Sequence, residues 1–172
     1  MALVESFSVI QGVAPRILVL GSMPGIASLQ QQAYYAHARN AFWPIMASYF
    51  QFDAQQSYPD RLRYLTDQGV ALWDVLQRCE RAGSLDGAIK AESMVANRID
   101  LWLQQTPSVV AVFCNGAKAG QLLQRYYPTL AAKGLSIETL PSTSPAYAAL
   151  PLATKMQRWH QSLQQCIGPS YD

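Results

Sequence analysis

Unbroken apolar runs and amphipathic stripes alternate along this chain. Ile17-Leu18-Val19-Leu20 is a short continuous apolar run, as in a strand buried on both faces, and predicts a strand over about 16–20. Residues 1–15 lack a clear period and read as an irregular lead-in closed by Pro15. A short helix is expected over Ala27–Ala33. The strongest helical pattern follows: Phe42, Ile45, Met46, Tyr49 and Phe50 form one apolar stripe. Asn40 precedes it as an N-cap candidate, and Pro44 suits a first turn.

Residues 51–59 read as a loop and Asp60–Gln68 as a short helix ended by Gly69. Val70–Trp73 is the second strand candidate, followed by Asp74. Residues 77–97 are polar, with weak periodicity, and predict an excursion over the surface. Asn97 is placed to cap a helix carrying Ile99, Trp102 and Leu103, stopped at Pro107. Val109–Cys114 is the best strand, ended by Asn115-Gly116, with a helix presenting Ala119, Leu122, Leu123 and Tyr126 beyond it. A fourth strand is expected over Ile137–Leu140, then a rigid hydroxyl-rich loop over Pro141–Tyr147. A last helix aligns Met156, Trp159, Leu163 and Ile167, with His160 packed in its stripe. Strands alternating with helices indicate an α/β fold with a parallel sheet covered on both faces.

The 172 residues suit one domain, and 50% apolar with 14% charged excludes a disordered chain. No apolar run reaches the ~18 residues of a membrane span. The N-terminus lacks a basic region and a signal-peptide core, so a cytoplasmic location is expected. Cys79, Cys114 and Cys166 are odd in number, far apart, and accompanied only by His37 and His160. They support no disulfide framework, metal site or iron–sulfur cluster, and no cofactor is expected. With a net charge of +2 and no basic run, any nucleic-acid footprint must be local and assembled in three dimensions.

Gly21-Ser22-Met23-Pro24-Gly25 is a tight turn after a buried strand, which exposes backbone N–H groups where open α/β sheets bind ligands. Asn115 and the Pro141–Tyr147 loop follow two other strands, so three strand ends supply a backbone turn, an amide and hydroxyls to one rim. That set suits a neutral hydrogen-bonding ligand such as a nucleobase. Ser22 and Ser142 lack the partners of a nucleophile elbow. The Gly-Pro-Gly turn lacks the lysine of a P-loop, which ranks a small-molecule phosphate binder last.

The Gly21–Gly25 turn, His37-Ala38-Arg39-Asn40-Ala41-Phe42-Trp43, Asn115-Gly116 and Leu140–Ala146 together resemble the motifs of the uracil-DNA glycosylase superfamily, nearest the hypoxanthine-DNA (deoxyinosine) glycosylase branch. Their order and spacing cover about residues 16–147. The resemblance implies a three-layer α/β/α sandwich with a central four-stranded parallel sheet. It implies a monofunctional enzyme, monomeric and free of metal, that flips a deaminated base from damaged DNA and hydrolyses its N-glycosidic bond. Such a protein would be nucleoid-associated when on DNA. Carried over by position, Asn40 is catalytic; Gly21, Ser22, Met23, Phe42 and Asn115 bind the base, with Phe42 stacking on it and Asn115 reading its edge. Pro24, Gly25, His37, Arg39, Ser142, Thr143, Ser144, Pro145, Ala146 and Tyr147 contact DNA, with Tyr147 as a wedge.

Met23 stands where mismatch-specific uracil glycosylases carry an asparagine and uracil-specific members can carry an aspartate; a thioether cannot hold water. His37-Ala38 departs from the commoner His-Pro pair, and Tyr147 replaces a frequent asparagine. Asn40 as a helix cap, Phe42 as core packing, the 142–144 hydroxyls as turn caps and Asp74 as a loop-orienting group are the structural readings of the same residues. The functional alternatives are uracil excision and a DNA-binding member of the fold without turnover.

Overall fold

A computed structural model describes residues 2–168. Its central sheet contains β2 (Ile17–Gly21), β3 (Val70–Asp74), β6 (Ala111–Asn115) and β7 (Ser136–Leu140), all parallel, in the order β3-β2-β6-β7. Register pairs Gly21 with Asp74 and Leu20 with Cys114, so the ends of β2, β3 and β6 share one edge. Ile17 to Leu20 and Ala111 to Cys114 are fully buried, because helices cover both faces.

One face packs against α2 (Phe42–Phe50) and α6 (Leu152–Ile167), where Phe42, Ile45, Met46, Trp159 and Leu163 meet Ile17, Val19 and Phe113. The other packs against α4 (Ile99–Gln105) and α5 (Ala117–Tyr126), where Ile99, Trp102, Leu122 and Leu123 meet Leu18, Leu20 and Val112. Helices α1 (Ile26–Gln31) and α3 (Tyr58–Asp67) complete the fold. This is the expected α/β/α sandwich around a four-stranded parallel sheet. The expected stripe of α2 is buried throughout. His160 Nε2 lies 3.0 Å from Ile45 O, packed between α6 and α2.

The edges of the fold correct the sequence reading. Residues 2–5 form β1 (Ala2–Glu5), and the expected surface excursion contains β4 (Leu76–Arg81) and β5 (Val95–Ala96) in a small antiparallel sheet, β1-β4-β5. After exposed Gln77 and Arg78, Cys79 and Arg81 are buried on either side of half-buried Glu80, a period-2 pattern that a charged inward residue conceals. Helix α3 starts before Asp60, with Ser57 Oγ accepting from Asp60 N at 3.4 Å. Asn97 does not cap α4. Its side chain is buried and donates to Asp74 O (2.9 Å) and Leu76 O (3.2 Å), tying β3 to β4. Asn40 lies one residue before the N-cap of α2, Ala41, yet its Oδ1 accepts from Phe42 N at 3.0 Å.

Candidate active site

The Gly21–Gly25 turn leaves β2 and is held from behind by the segment after β4. Ser22 Oγ donates to Asp86 Oδ1 at 2.5 Å, Ile26 N donates to Ser84 Oγ at 2.8 Å, and Arg81 Nη2 donates to Pro24 O at 2.5 Å. Met23 is only 7% exposed and belongs to the core with Leu20 and Val75. The side chains of Ser22 and Met23 are therefore committed to structure. What the turn can offer a ligand is backbone: the N–H groups of Met23 and Gly25 have no acceptor among the described residues.

Gly21 has a specific steric reason. A β-carbon there would lie 2.6 Å from Asp74 Oδ1, at the neighbouring strand end. Asp74 is 4% exposed, and its Oδ2 is buried without a hydrogen-bond partner. Burial pushes its carboxyl up to about 7; Arg81 opposes that rise and Asp86 adds to it. The Tyr34 hydroxyl approaches closely enough to oppose the rise as well, without completing a hydrogen bond of regular geometry.

Tyr35 closes this corner. It adopts φ 55°, a left-handed conformation uncommon for an aromatic residue. Its ring stacks on Phe42 with centroids 4.0 Å apart and planes 27° apart. Phe42 is fully buried, so its ring is not open to a base in this conformation; the ring at the rim is that of half-buried Tyr35. The Tyr35 hydroxyl lies beside the Asn115 amide, 3.9 Å from where a Gly21 β-carbon would stand. Burial raises its phenol above the ordinary range, with Asp74 adding to the rise.

Asn115 is placed at the rim as expected, but its amide is engaged. Its Nδ2 donates to Thr143 Oγ1 and its Oδ1 accepts from Thr143 N, both at 2.9 Å. That clamp is one of several anchors on the 141–147 loop. Trp159 Nε1 donates to Pro141 O (2.9 Å), Ala41 N to Thr143 O (2.9 Å) and Lys155 Nζ to Tyr147 O (2.5 Å). Thr143, 1% exposed, thus serves the frame. Ser142 and Ser144 accept from Ser144 N and Ala146 N at 3.2 Å, which caps the turn and leaves each hydroxyl proton free to donate. Tyr147 is 39% exposed. A cleft of about 410 Å³ runs between this loop and the start of α2, bordered by Arg39, Asn40, Ser144, Tyr147 and Lys155. His37 is exposed and its Nδ1 accepts from Arg39 N at 3.1 Å, so it shapes the turn before Asn40.

The family model of the uracil DNA glycosylase superfamily matches residues 7–163, nearly the whole chain and every element of this rim. The chain belongs to the uracil DNA glycosylase superfamily. Within the superfamily it is similar to two proteins named hypoxanthine DNA glycosylase. The one from Methanosarcina barkeri is 36% identical and the one from Methanosarcina acetivorans 33%, each over 131 residues covering 76% of this chain and 79% of the relative. A solution NMR structure of a candidate uracil DNA glycosylase from Methanosarcina acetivorans superposes with TM-score 0.80 at 26% identity, over 96% of this chain and 99% of the other. Among the described residues no group of metal-ligating side chains forms, and no helix is long and apolar enough to cross a membrane.

Two residues at this site escaped the sequence reading. Asp74 reads from the sequence only as a loop-orienting group after a strand, and Tyr35 is assigned no role there. The signal for Asp74 was its place beside Gly21 across two parallel strand ends, which requires the strand order.

Proposed function

We propose that this superfamily member is a monofunctional glycosylase that removes hypoxanthine from DNA with water as the nucleophile. The observation that carries this is Met23: its side chain is turned into the core, so the first motif presents no polar side chain to hold water. Asn40, beside the open cleft, remains. The names of the two Methanosarcina relatives support the same substrate.

The C1′–N9 bond stretches, positive charge grows on the sugar, and the base departs as an anion. Fixed donors aimed at that anion lower the barrier; the Met23 and Gly25 N–H groups are available. The Tyr35 ring, backed by Phe42, offers a stacking face. Asp74 in its neutral form offers one donor and one acceptor, matching the O6 acceptor and N1–H donor of hypoxanthine. Asn40 Oδ1 is bonded to Phe42 N, which orients its Nδ2 for a water near C1′. Arg39, exposed, and the Ser142 and Ser144 hydroxyls face phosphates. Flipping costs a few kcal/mol, less at a mispair.

Single-turnover excision from otherwise identical duplexes tests the reading, with alkali to reveal abasic sites. Hypoxanthine should be released faster than uracil, and borohydride should trap no covalent adduct. Equal or reversed rates would refute the substrate assignment.

A further inference from the structure

Arg81 is 1% exposed. Its Nη2 donates to Pro24 O and its Nε to Gly83 O (2.8 Å), while Nη1 is buried with no partner. No carboxylate forms an ion pair with it among the described residues. A guanidinium buried without an ion pair is strongly unfavourable unless something else uses its charge. The carbonyl it holds belongs to the Pro24–Gly25 peptide. In a trans peptide the N–H points opposite to the C=O, so the Gly25 N–H is directed away from Arg81. That N–H has no acceptor among the described residues. A charged donor on the carbonyl polarises the peptide and strengthens the N–H on its far side. Asp74 sits at the adjacent strand end, its Oδ2 likewise without a partner.

We propose that Arg81 is a positioning residue that fixes the Gly21–Gly25 turn and lends its positive charge to the departing base anion, and that Asp74 cancels this help when it ionises. The inference rests on the glycosylase reading above and adds no covalent step. The groups that set the Asp74 charge come from each element packed on it: Arg81 from β4, Asp86 from the segment after β4, and the Tyr34 and Tyr35 hydroxyls from the segment before α2. Cys79, on β4, lies in the field of Arg81 and Asp86. Asp86 is bonded to Ser22, so it holds the turn. Below about pH 7 Asp74 is neutral and the field of Arg81 reaches the turn; above it the carboxylate offsets that field.

The test uses the full chain and a hypoxanthine-containing duplex under single-turnover conditions across pH. The wild-type rate should fall toward a lower plateau as pH rises through about 7, and Asp74→Asn should abolish that fall. Arg81→Gln should slow excision by about 10²-fold without weakening DNA binding, and Arg81→Lys, which keeps the charge, should recover most of the rate. NMR of the Asp74 carboxyl carbon should show its titration moving up in Arg81→Gln, because Arg81 opposes the rise. Where Arg81→Gln fails to fold, Arg81→Lys is compared with wild type instead, and a folded Arg81→Lys protein slowed by about 10²-fold overturns the inference. Equal slowing by Gln and Lys in folded proteins, or an alkaline fall that persists in Asp74→Asn, overturns the inference alone. Absence of any excision of hypoxanthine or uracil by wild type overturns the glycosylase reading and this inference with it.

Discussion

Asn40 separates a structural role from a chemical one because its two side-chain atoms do different things. Its Oδ1 accepts from Phe42 N at 3.0 Å, while its Nδ2 has no partner among the described residues and borders the open cleft. The helix it touches is held independently: Ala41 N is bonded to Thr143 O, and Phe42 is buried under Tyr35. Asn40→Ala should therefore lower stability by only about 1 kcal/mol, as for loss of one cap bond. If Nδ2 holds the attacking water, the same change should raise the barrier by about 2–4 kcal/mol, which slows excision by roughly 30- to 900-fold.

Asn40→Asp keeps the acceptor toward Phe42 N, so the fold should hold. It replaces the donor with an oxygen and sets a negative charge near a departing anion. This variant should melt like wild type and excise hypoxanthine slowly. The assay is single-turnover excision beside thermal unfolding for wild type, Ala and Asp. A folded Asn40→Ala protein with near-wild-type excision would refute the reasoning and leave Asn40 as a structural bond to α2.

Four further outcomes follow from the geometry. Gly21→Ala places a methyl 2.6 Å from Asp74 Oδ1, so the carboxyl must rotate; chemical denaturation should show a loss of about 1–3 kcal/mol, with slower excision. Thr143→Val removes the hydroxyl that accepts from Asn115 Nδ2, and should cost about 1–3 kcal/mol by leaving a donor unpaired. Tyr147→Ala should slow excision from duplexes more than from single strands and lower stability by only about 0.5–1 kcal/mol, since the ring's contact with the Lys155 ammonium (5.1 Å) is lost while Lys155 can still grip the backbone carbonyl; an unchanged duplex preference would reject the wedge role. The folded protein holds the Asp74 proton up to about pH 7, whereas the unfolded chain releases it in the ordinary carboxylate range. That contribution to stability is complete below the ordinary range and is lost as pH rises toward 7, so the melting temperature of Asp74→Asn relative to wild type should climb between about pH 4 and about pH 8.

The parts of this fold that were legible in the sequence are those whose pattern is set by one environment along the whole element. β2 and β6 are buried on both faces and read as unbroken apolar runs; α2 buries one stripe and reads at helical period. β1 and β4 were not legible, because their pairing is with each other across about 75 residues and the inward position of β4 carries Arg81. The site divides in the same way. Polar side chains that suggested chemistry, Ser22, Asn115 and Thr143, are engaged with Asp86 and with each other, since a loop at a strand end must satisfy its buried polar groups before it can hold a ligand. The rim is shaped by what a linear reading weighs least. A missing β-carbon at Gly21 admits the Asp74 carboxyl, and a left-handed Tyr35 covers Phe42. The first depends on β2 and β3 lying side by side with Gly21 opposite Asp74. A parallel neighbour is chosen by the crossover and not by local spacing, so the partner of a strand-end residue is a property of the topology. Motif order could locate the rim, while the identity of its unpaired groups, Asp74 and Arg81, required the strand order that sets them behind one turn.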